Sequence, residues 1–232
     1  MINMQSVSKT FYQEAAPAVT PVQAVNLQVK NGEFVLLTGR SGSGKTTLLN
    51  LAAGLIKPTS GKVLIDDANI WDLTDRQLSA LRLQKTGFVF QFPSLIPSLS
   101  VMENTILPYS FGMNDERHLI QKRAVDLLEK LGLAERTRAF PGQLSAGEQK
   151  RAVLARALMN KPEILFADEP TSDLDELTER EIMSVLRDLH AGGTTILMVT
   201  HNTELIPFAD RIIRIEGGNL VESHPWYQIP KT

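Results

Sequence analysis

Short runs of consecutive apolar residues are the most regular feature of the chain. Three of them, Phe34–Leu37, Ile164–Ala167 and Ile196–Val199, are bounded by polar residues. A continuous apolar run of this length is typical of a strand that is buried on both faces of a parallel sheet. A membrane-spanning helix needs about 20 such residues. The pattern therefore predicts a parallel sheet and no membrane span.

Helical periodicity dominates the middle of the chain, over residues 92–158, and returns between the last two apolar runs. The apolar positions that share a predicted helix face are Ile120, Ala124, Leu127, Leu128 and Leu131, then Val153, Leu154, Ala157 and Leu158, then Ile182, Val185, Leu186 and Leu189. Residues 1–30 instead hold alternating stretches around a predicted turn at Ala15–Pro21. We predict a single α/β domain over residues 1–232, with a core of residues 1–91 and 159–232 that has a β-rich start, and a helical subdomain of residues 92–158.

Composition narrows the function classes without identifying one. The 232 residues carry 24 Lys and Arg against 26 Asp and Glu, for a formal net charge of −2, and contain no cysteine. Disulfides, cysteine zinc sites and thiol catalysis are excluded, and near-neutral charge argues against nucleic-acid binding through an overall basic surface. The start MINMQSVSKTF lacks the apolar core of a signal peptide. We expect a soluble chain that stays in the compartment where it is made.

A glycine-rich loop follows the first apolar run. Its sequence, GRSGSGKTT, matches GxxxxGK[ST] between a predicted strand and a predicted helix. Glycines let successive backbone N–H groups turn toward a phosphate, and the N-terminus of the following helix adds partial positive charge. We predict that Lys45 reaches the β- and γ-phosphates of a nucleotide and that the Thr46 hydroxyl ligates Mg²⁺. The predicted phosphate-binding residues are Gly39, Ser41, Gly42, Ser43, Gly44, Lys45, Thr46 and Thr47.

Two acidic residues end the second apolar run, in the sequence ILFADEP. Taken alone, they would be interpreted as a solvated turn. Asp168 at the carboxyl end of a parallel strand is instead expected beside the phosphate loop, where it can hold Mg²⁺. Glu169 can then reach a water in line with the γ-phosphate and act as a general base.

One further segment carries a resemblance to a known family. LSAGEQKR at residues 144–151 resembles the LSGGQ signature of the ATP-binding cassette (ABC) ATPases. It stands in the usual place of that signature, just before the acidic motif ILFADEP. FVFQ at 88–91 is similar to the Q-loop of that family, SDLD at 172–175 to its D-loop, and TH at 200–201 to its switch histidine. The resemblance, which covers essentially the whole chain, implies a P-loop NTPase fold with a RecA-like core, an N-terminal antiparallel β subdomain and an inserted helical subdomain. It implies ATP and Mg²⁺ as cofactors.

The resemblance also assigns roles to residues whose types alone would not suggest them. In this family two chains pair head-to-tail, so Ser145 and Gly147 of one copy are expected to close over the ATP held by a second copy. Gln91 is expected to ligate Mg²⁺ and sense the γ-phosphate, and His201 to bond the γ-phosphate. Without the surrounding motifs, Ser145 would be interpreted as a helix cap, Gln91 as a polar strand end and His201 as a surface histidine.

Three positions leave the resemblance incomplete. Phe11 or Tyr12 is similar to the aromatic residue that stacks on adenine, but core packing explains each ring about equally well. Ala146 stands where the signature usually has glycine, and Glu148 stands where it usually has glutamine. Ser145 and Gly147, the serine and the second glycine of the signature, are present, so we expect the motif to be able to contact ATP. A glutamate in the first helical turn would nevertheless repel a nearby phosphate.

Within the family the chain is most similar to the lipoprotein-release and macrolide-export type, through SKTF at 8–11, the segment 87–108 and ILFADEPTSDLD at 164–175. In such systems the ATPase pairs with a separate transmembrane permease that docks near the Q-loop. This implies a cytoplasmic subunit, peripheral on the inner face of the cell membrane through the permease, with no direct membrane insertion and no nucleic-acid partner. Candidates for the permease contact, with core packing as the alternative, are Phe92, Leu95, Ile96 and Pro97.

Other function classes fit less well. DNA-repair members of the family carry long coiled coils between the phosphate loop and the signature, and translation members usually carry two cassettes; this sequence has neither pattern. A cell-division mechanotransmission ATPase and a non-catalytic regulatory subunit remain alternatives. The regulatory alternative gains from Glu148, but Glu169 and His201 argue against it.

Overall fold

Ten strands and six α-helices alternate along the chain in the computed structural model, which describes residues 1–14, 16–111 and 117–225. The strands are β1 (Ile2–Gln13), β2 (Ala16–Val29), β3 (Phe34–Thr38), β4 (Ser60–Ile65), β5 (Ala68–Asn69), β6 (Thr86–Val89), β7 (Ile164–Asp168), β8 (Thr195–Val199), β9 (Arg211–Glu216) and β10 (Asn219–Pro225). The helices are α1 (Lys45–Ala52), α2 (Asp75–Lys85), α3 (Val101–Ile106), α4 (Arg117–Lys130), α5 (Ala146–Leu158) and α6 (Glu176–Ala191).

A six-stranded sheet in the order β10-β9-β3-β8-β7-β6 forms the centre of the fold. Its strands run parallel from β9 to β6, and β10 pairs antiparallel with β9 as a hairpin. The three apolar runs are β3, β7 and β8, which lie side by side and are almost completely buried. The sequence-based prediction of buried parallel strands is confirmed.

Alternate residues of these strands face two separate cores. Val35 and Leu37 pack with α1 and the four-stranded antiparallel sheet, which has the order β2-β1-β4-β5. Phe34 and Leu36 face the opposite side, where α5 and α6 contribute most of the packing. The period of two along a strand thus produces three layers, with the central sheet covered on both faces.

The first hairpin corrects one sequence-based prediction. The segment Ala15–Pro21 was predicted as a turn, but β2 begins at Ala16, and Ala15 itself lies outside the described residues. The two strands extend over 12 and 14 residues and accommodate irregular registers through bulges. Positive φ values at Ser6 and Ala24 mark these interruptions.

Helix α2 was missed by periodicity because it is a mostly polar surface helix with one buried side chain, Leu78. The signal that could have found it is the capping box. Thr74 accepts a hydrogen bond from the Gln77 backbone N–H, and the Gln77 side chain accepts one from the Thr74 N–H at 2.9 Å.

Helices α3, α4 and α5 lie within residues 92–158, the stretch that the sequence predicts to be helical. Gly132, with φ of 66°, lies two residues beyond α4, as the sequence predicts. Within residues 1–14, 16–111 and 117–225, no helix has the length and apolar character that crossing a bilayer requires.

Candidate functional site

The glycine-rich loop lies at the carboxyl end of β3, between that strand and α1. Two of its glycines are required by packing as well as by conformation. A Cβ atom on Gly44, which has φ of 103°, would lie 1.9 Å from the Pro21 carbonyl oxygen. A Cβ atom on Gly39, with φ of 146°, would lie 2.3 Å from the Ile215 carbonyl oxygen. The loop is therefore held in shape by strands of both sheets.

Lys45 is the first residue of α1, and its side chain folds back across the loop. The Nζ atom donates hydrogen bonds to the carbonyl oxygens of Gly39 at 2.8 Å and Arg40 at 2.9 Å. The side chain is largely buried. Its ammonium group is thus held against the backbone of the loop.

Asp168 ends β7 beside the start of α1. Its Oδ1 atom accepts a hydrogen bond from the Thr46 hydroxyl at 3.2 Å. Burial raises the pKa of the Asp168 carboxyl, while the bond from Thr46 acts in the opposite direction. The structure therefore brings together a hydroxyl and a carboxylate that sequence analysis assigned to one Mg²⁺ site.

Glu169 occupies an unusual backbone conformation, with φ of 47°. Its N–H donates to the Val199 carbonyl oxygen at 3.0 Å, which ties the residue to the end of β8. Its carboxylate oxygen Oε2 lies 2.7 Å from Nδ1 of His201. The two residues that were predicted to act at the γ-phosphate are therefore in direct contact.

Lys45, Thr46, Glu169 and His201 border one cleft of about 490 Å³. The residues that line it are Pro21, Ser41, Gly42, Gly44, Lys45, Thr46, Thr47, Gln91, Glu169 and His201. Pro21 was not predicted to line a site, because the sequence analysis placed it in a turn, whereas it lies in β2 next to the loop. Ser43 lines a separate recess on the other side of the loop with Ile215 and Gly217.

Phe11 and Tyr12 are not among the residues that line the cleft. Both rings are exposed on β1, with exposed fractions of 40% and 79%. The Lys9 ammonium lies 5.1 Å from the centre of the Phe11 ring. Core packing, the alternative explanation for these rings, therefore fits neither of them. Either Phe11 or Tyr12 is exposed enough to be the residue that stacks on adenine.

Ser145 and Gly147 also lie outside the lining of the cleft, at the start of α5. Ser145 is the N-cap of this helix, and its hydroxyl accepts a hydrogen bond from the Glu148 N–H at 3.2 Å. Gly147 lies against α6, where an added Cβ atom would be 2.8 Å from the Thr178 Cγ2 atom. A side chain at this position would therefore require Thr178 to shift.

The charge of Glu148 is already engaged within the chain. One carboxylate oxygen accepts a hydrogen bond from the Ser145 N–H at 2.8 Å, and the other contacts Nε of Arg136 at 2.9 Å. The bond from the Ser145 backbone, followed by the bond from Arg136, lowers the pKa of Glu148. The repulsion that sequence analysis expected from this side chain is therefore partly offset by Arg136.

A second, more apolar groove of about 940 Å³ lies next to β6, the strand that leads to Gln91. Its exposed aromatic and aliphatic residues are Phe90, Ile96 and Phe111. Of the residues proposed from sequence as a permease contact, Ile96 lines this groove and Phe92 is exposed outside its lining. Leu95 is buried in the core beneath the central sheet, so for this residue the core alternative applies.

Comparison with known proteins places these features in a context. A family model described as "ABC transporter" matches residues 22–172. An uncharacterized ABC transporter ATP-binding protein of Mycobacterium tuberculosis is 41% identical over 223 residues, which cover 95% of this chain and 89% of the relative. The macrolide export ATP-binding/permease protein of Syntrophobacter fumaroxidans is 43% identical over 222 residues, 94% of this chain but 31% of the relative.

Solved structures show the same fold. A dimeric ATP-binding cassette in a post-hydrolysis state, bound to ADP and Pi, superposes with a TM-score of 0.91 at 39% sequence identity. The match covers 97% of this chain and 99% of that structure. The order of strands, helices and motifs described above therefore has a counterpart over almost the whole length of a known nucleotide-binding protein.

Proposed function

The chain belongs to the ABC transporter family as an ATP-binding subunit that hydrolyses ATP, and from this premise we propose that two copies close around two ATP molecules and drive a separate transmembrane permease. The observation that carries the proposal is the division of its motifs between two places. Lys45, Thr46 and Glu169 line one cleft, and Asp168 accepts a hydrogen bond from Thr46, while Ser145 and the rest of the signature lie outside the lining of the cleft.

The oxygen donors beside the loop fit a bound Mg²⁺ ion. The Thr46 hydroxyl and the Asp168 carboxylate are 3.2 Å apart, and Gln91 adds an amide at the same cleft. Hydroxyl, carboxylate and amide oxygens are the ligands that this hard cation prefers. When bound, the ion would neutralise charge on the β- and γ-phosphates.

The side chains of this chain divide the remaining work. Lys45 contacts the phosphates, and Glu169 accepts the proton of the attacking water as general base. Because an ionised carboxylate can only accept hydrogen bonds, His201 must donate its Nδ1 proton to Glu169. That bond orients the carboxylate, and the other ring nitrogen of His201 can donate to a phosphate oxygen only when it also carries a proton.

A second copy would complete the site. The solved relative with ADP and Pi is a dimer, and its fold is shared over nearly all of this chain. In a two-fold pair, each copy would present Ser145 and Gly147 to the nucleotide of the other, which makes two equivalent sites. Arg136 would limit the repulsion between Glu148 and the incoming phosphate.

The permease partner is supported by two observations. The macrolide export relatives carry ATP-binding and permease functions in one protein, of which this chain matches about a third. The apolar groove lined by Phe90, Ile96 and Phe111 borders the strand that leads to Gln91, and exposed apolar surface of this kind suits a protein partner. We propose export or lipoprotein and lipid extraction as the process, at the inner face of the cell membrane.

Glu169→Gln tests this proposal. The amide keeps the size of the side chain but cannot accept a proton, so turnover is expected to fall at least about a hundredfold while ATP binding is retained. Size-exclusion chromatography with light scattering should then show an ATP-dependent dimer that the native protein does not accumulate. A variant that stays monomeric at saturating ATP, or that keeps native turnover, would contradict the dimer or the base assignment respectively.

A further inference from the structure

Lys150 is a buried lysine that the mechanism above does not use. It lies in the second turn of α5, five residues after Ser145, and only 7% of it is exposed. Isolated ammonium groups are costly to bury, so a buried lysine must have hydrogen-bond acceptors. Burial lowers the pKa of Lys150, and the charges of Asp173 and Glu169 act in the opposite direction.

All three hydrogen bonds of the ammonium group go to the turn that follows β7. Nζ donates to the Ser172 hydroxyl at 2.8 Å, to the Ser172 carbonyl oxygen, and to the Glu169 carbonyl oxygen at 3.4 Å. The same Glu169 carbonyl oxygen accepts from the Ser172 N–H at 3.2 Å and the Ser172 hydroxyl at 3.1 Å. Lys150 therefore closes a small network whose centre is the backbone of Glu169.

That backbone needs external support. A glutamate at φ of 47° is in the left-handed region, which is unfavourable for a residue with a side chain. Such a conformation persists when the surroundings over-determine it. Here the Val199 carbonyl oxygen holds the N–H of Glu169 on one side, and Lys150 and Ser172 hold its carbonyl oxygen on the other.

We infer that Lys150 is a positioning residue that fixes the Glu169–Ser172 turn and so aims the Glu169 carboxylate at the attacking water. The inference rests on the proposed role of Glu169 as general base. Lys150 belongs to α5, the helix that begins at Ser145 and that we propose contacts the nucleotide of the second copy. Lys150 therefore connects this helix to Glu169, the general base of its own copy. Each copy would thus transmit a movement of its α5 helix to its own Glu169.

Lys150→Met, made in the full chain, is the main test, because methionine keeps an unbranched apolar stem and removes the donors. A displaced carboxylate is expected to lower kcat roughly tenfold to hundredfold, while the Kd for ATP changes less than about threefold. Lys150→Gln, which restores two donors, should recover part of the loss. Lys122→Met replaces an exposed helical lysine and serves as the matched control with native kcat.

A double-mutant cycle separates this inference from the proposed function. If Lys150 acts through Glu169, then Lys150→Met adds no further loss to the residual turnover of Glu169→Gln. Multiplicative losses, a kcat of Lys150→Met within twofold of native, or an equal loss of ATP binding would overturn the inference. Native turnover of Glu169→Gln alone would instead overturn the base assignment, and the inference with it.

Thermal unfolding is measured on every variant. Should Lys150→Met fail to fold, Ser172→Ala removes a single hydroxyl from the same network and is expected to lower kcat about threefold to tenfold without changing the Kd for ATP. A Ser172→Ala kcat equal to that of the native protein would then overturn the inference.

Discussion

The starts of helices α1 and α5 resemble each other in sequence, since both follow a short Gly- and Ser-containing motif, but the structure finishes them differently. Helix α1 begins after Gly44, and no side chain in the described part of the chain caps it. Helix α5 begins after Ser145, whose hydroxyl and backbone N–H form a closed capping box with Glu148. No side chain among the described residues caps the start of α1, whereas at the start of α5 the Glu148 N–H is bonded to the Ser145 hydroxyl.

The same local chemistry thus serves two roles. The start of α1 lies in a cleft where side chains that follow β7 and β8 converge with the loop, as a phosphate site requires. The start of α5 has a side-chain cap from within the chain and lies outside the lining of that cleft. The groups around the start of α1 all come from one chain, so we expect one copy to bind nucleotide there. The start of α5 is capped and lies outside the cleft, which suits it to contact a second molecule.

The largest expected effect comes from Lys45→Ala, which removes the ammonium group of the phosphate loop at the start of α1. We expect ATP affinity to fall at least about a hundredfold, because a hydrogen bond to a charged group contributes about 1.5–3 kcal/mol and Lys45 would make one to each of two phosphates. Isothermal titration with ATP measures the change, with Lys62→Ala on β4 as the control. Unchanged affinity would contradict the assignment of the loop as the phosphate site.

An intermediate effect is expected from Phe111→Asp, which places a charge in the apolar groove. Phe111 is 72% exposed, so the substitution should leave folding and the ATPase turnover of the isolated chain within about twofold of native. Recovery of the permease from detergent-solubilised membranes on the immobilised chain should fall about tenfold, as for a buried interface aromatic.

Val125→Asp provides the matched control for the groove, since Val125 is also an exposed apolar residue but lies on α4, outside the groove lining. It should recover as much permease as the native chain. Equal recovery by Phe111→Asp and Val125→Asp would place the permease contact elsewhere.

The smallest expected effect concerns the ion pair at the start of α5. Arg136→Ala should raise the ATP concentration needed for half-maximal dimerisation of the Glu169→Gln protein about twofold to fivefold, since an exposed pair contributes up to about 1 kcal/mol. Adding Glu148→Gln should restore the native value, because the amide oxygen keeps the capping box without the charge. Light scattering at several ATP concentrations measures both; a double variant as weak as Arg136→Ala would show that Arg136 does not act by neutralising Glu148.

Sequence reasoning predicted most of the cleft because its groups belong to contiguous motifs. Lys45, Thr46 and Asp168 were assigned from spacing and from the position of strand ends, and the structure places them in contact with the same loop. Pro21, Phe111 and Lys150 were not predicted, because each reaches its neighbours from a distant part of the chain. Leu95 shows the converse, since the sequence does not distinguish a surface leucine from one buried under a sheet.

The parallel strands, the phosphate loop and the family can be read from the sequence, because apolar runs, glycine spacing and motif order are local properties of the chain. The contacts of Glu169 with His201, of Glu148 with Arg136, and of Lys150 with the turn after β7 are seen only in the folded structure. Hydrogen bonds and buried charges depend on distances of a few ångströms between segments that are separated in sequence. Folding sets those distances, and no local pattern contains them.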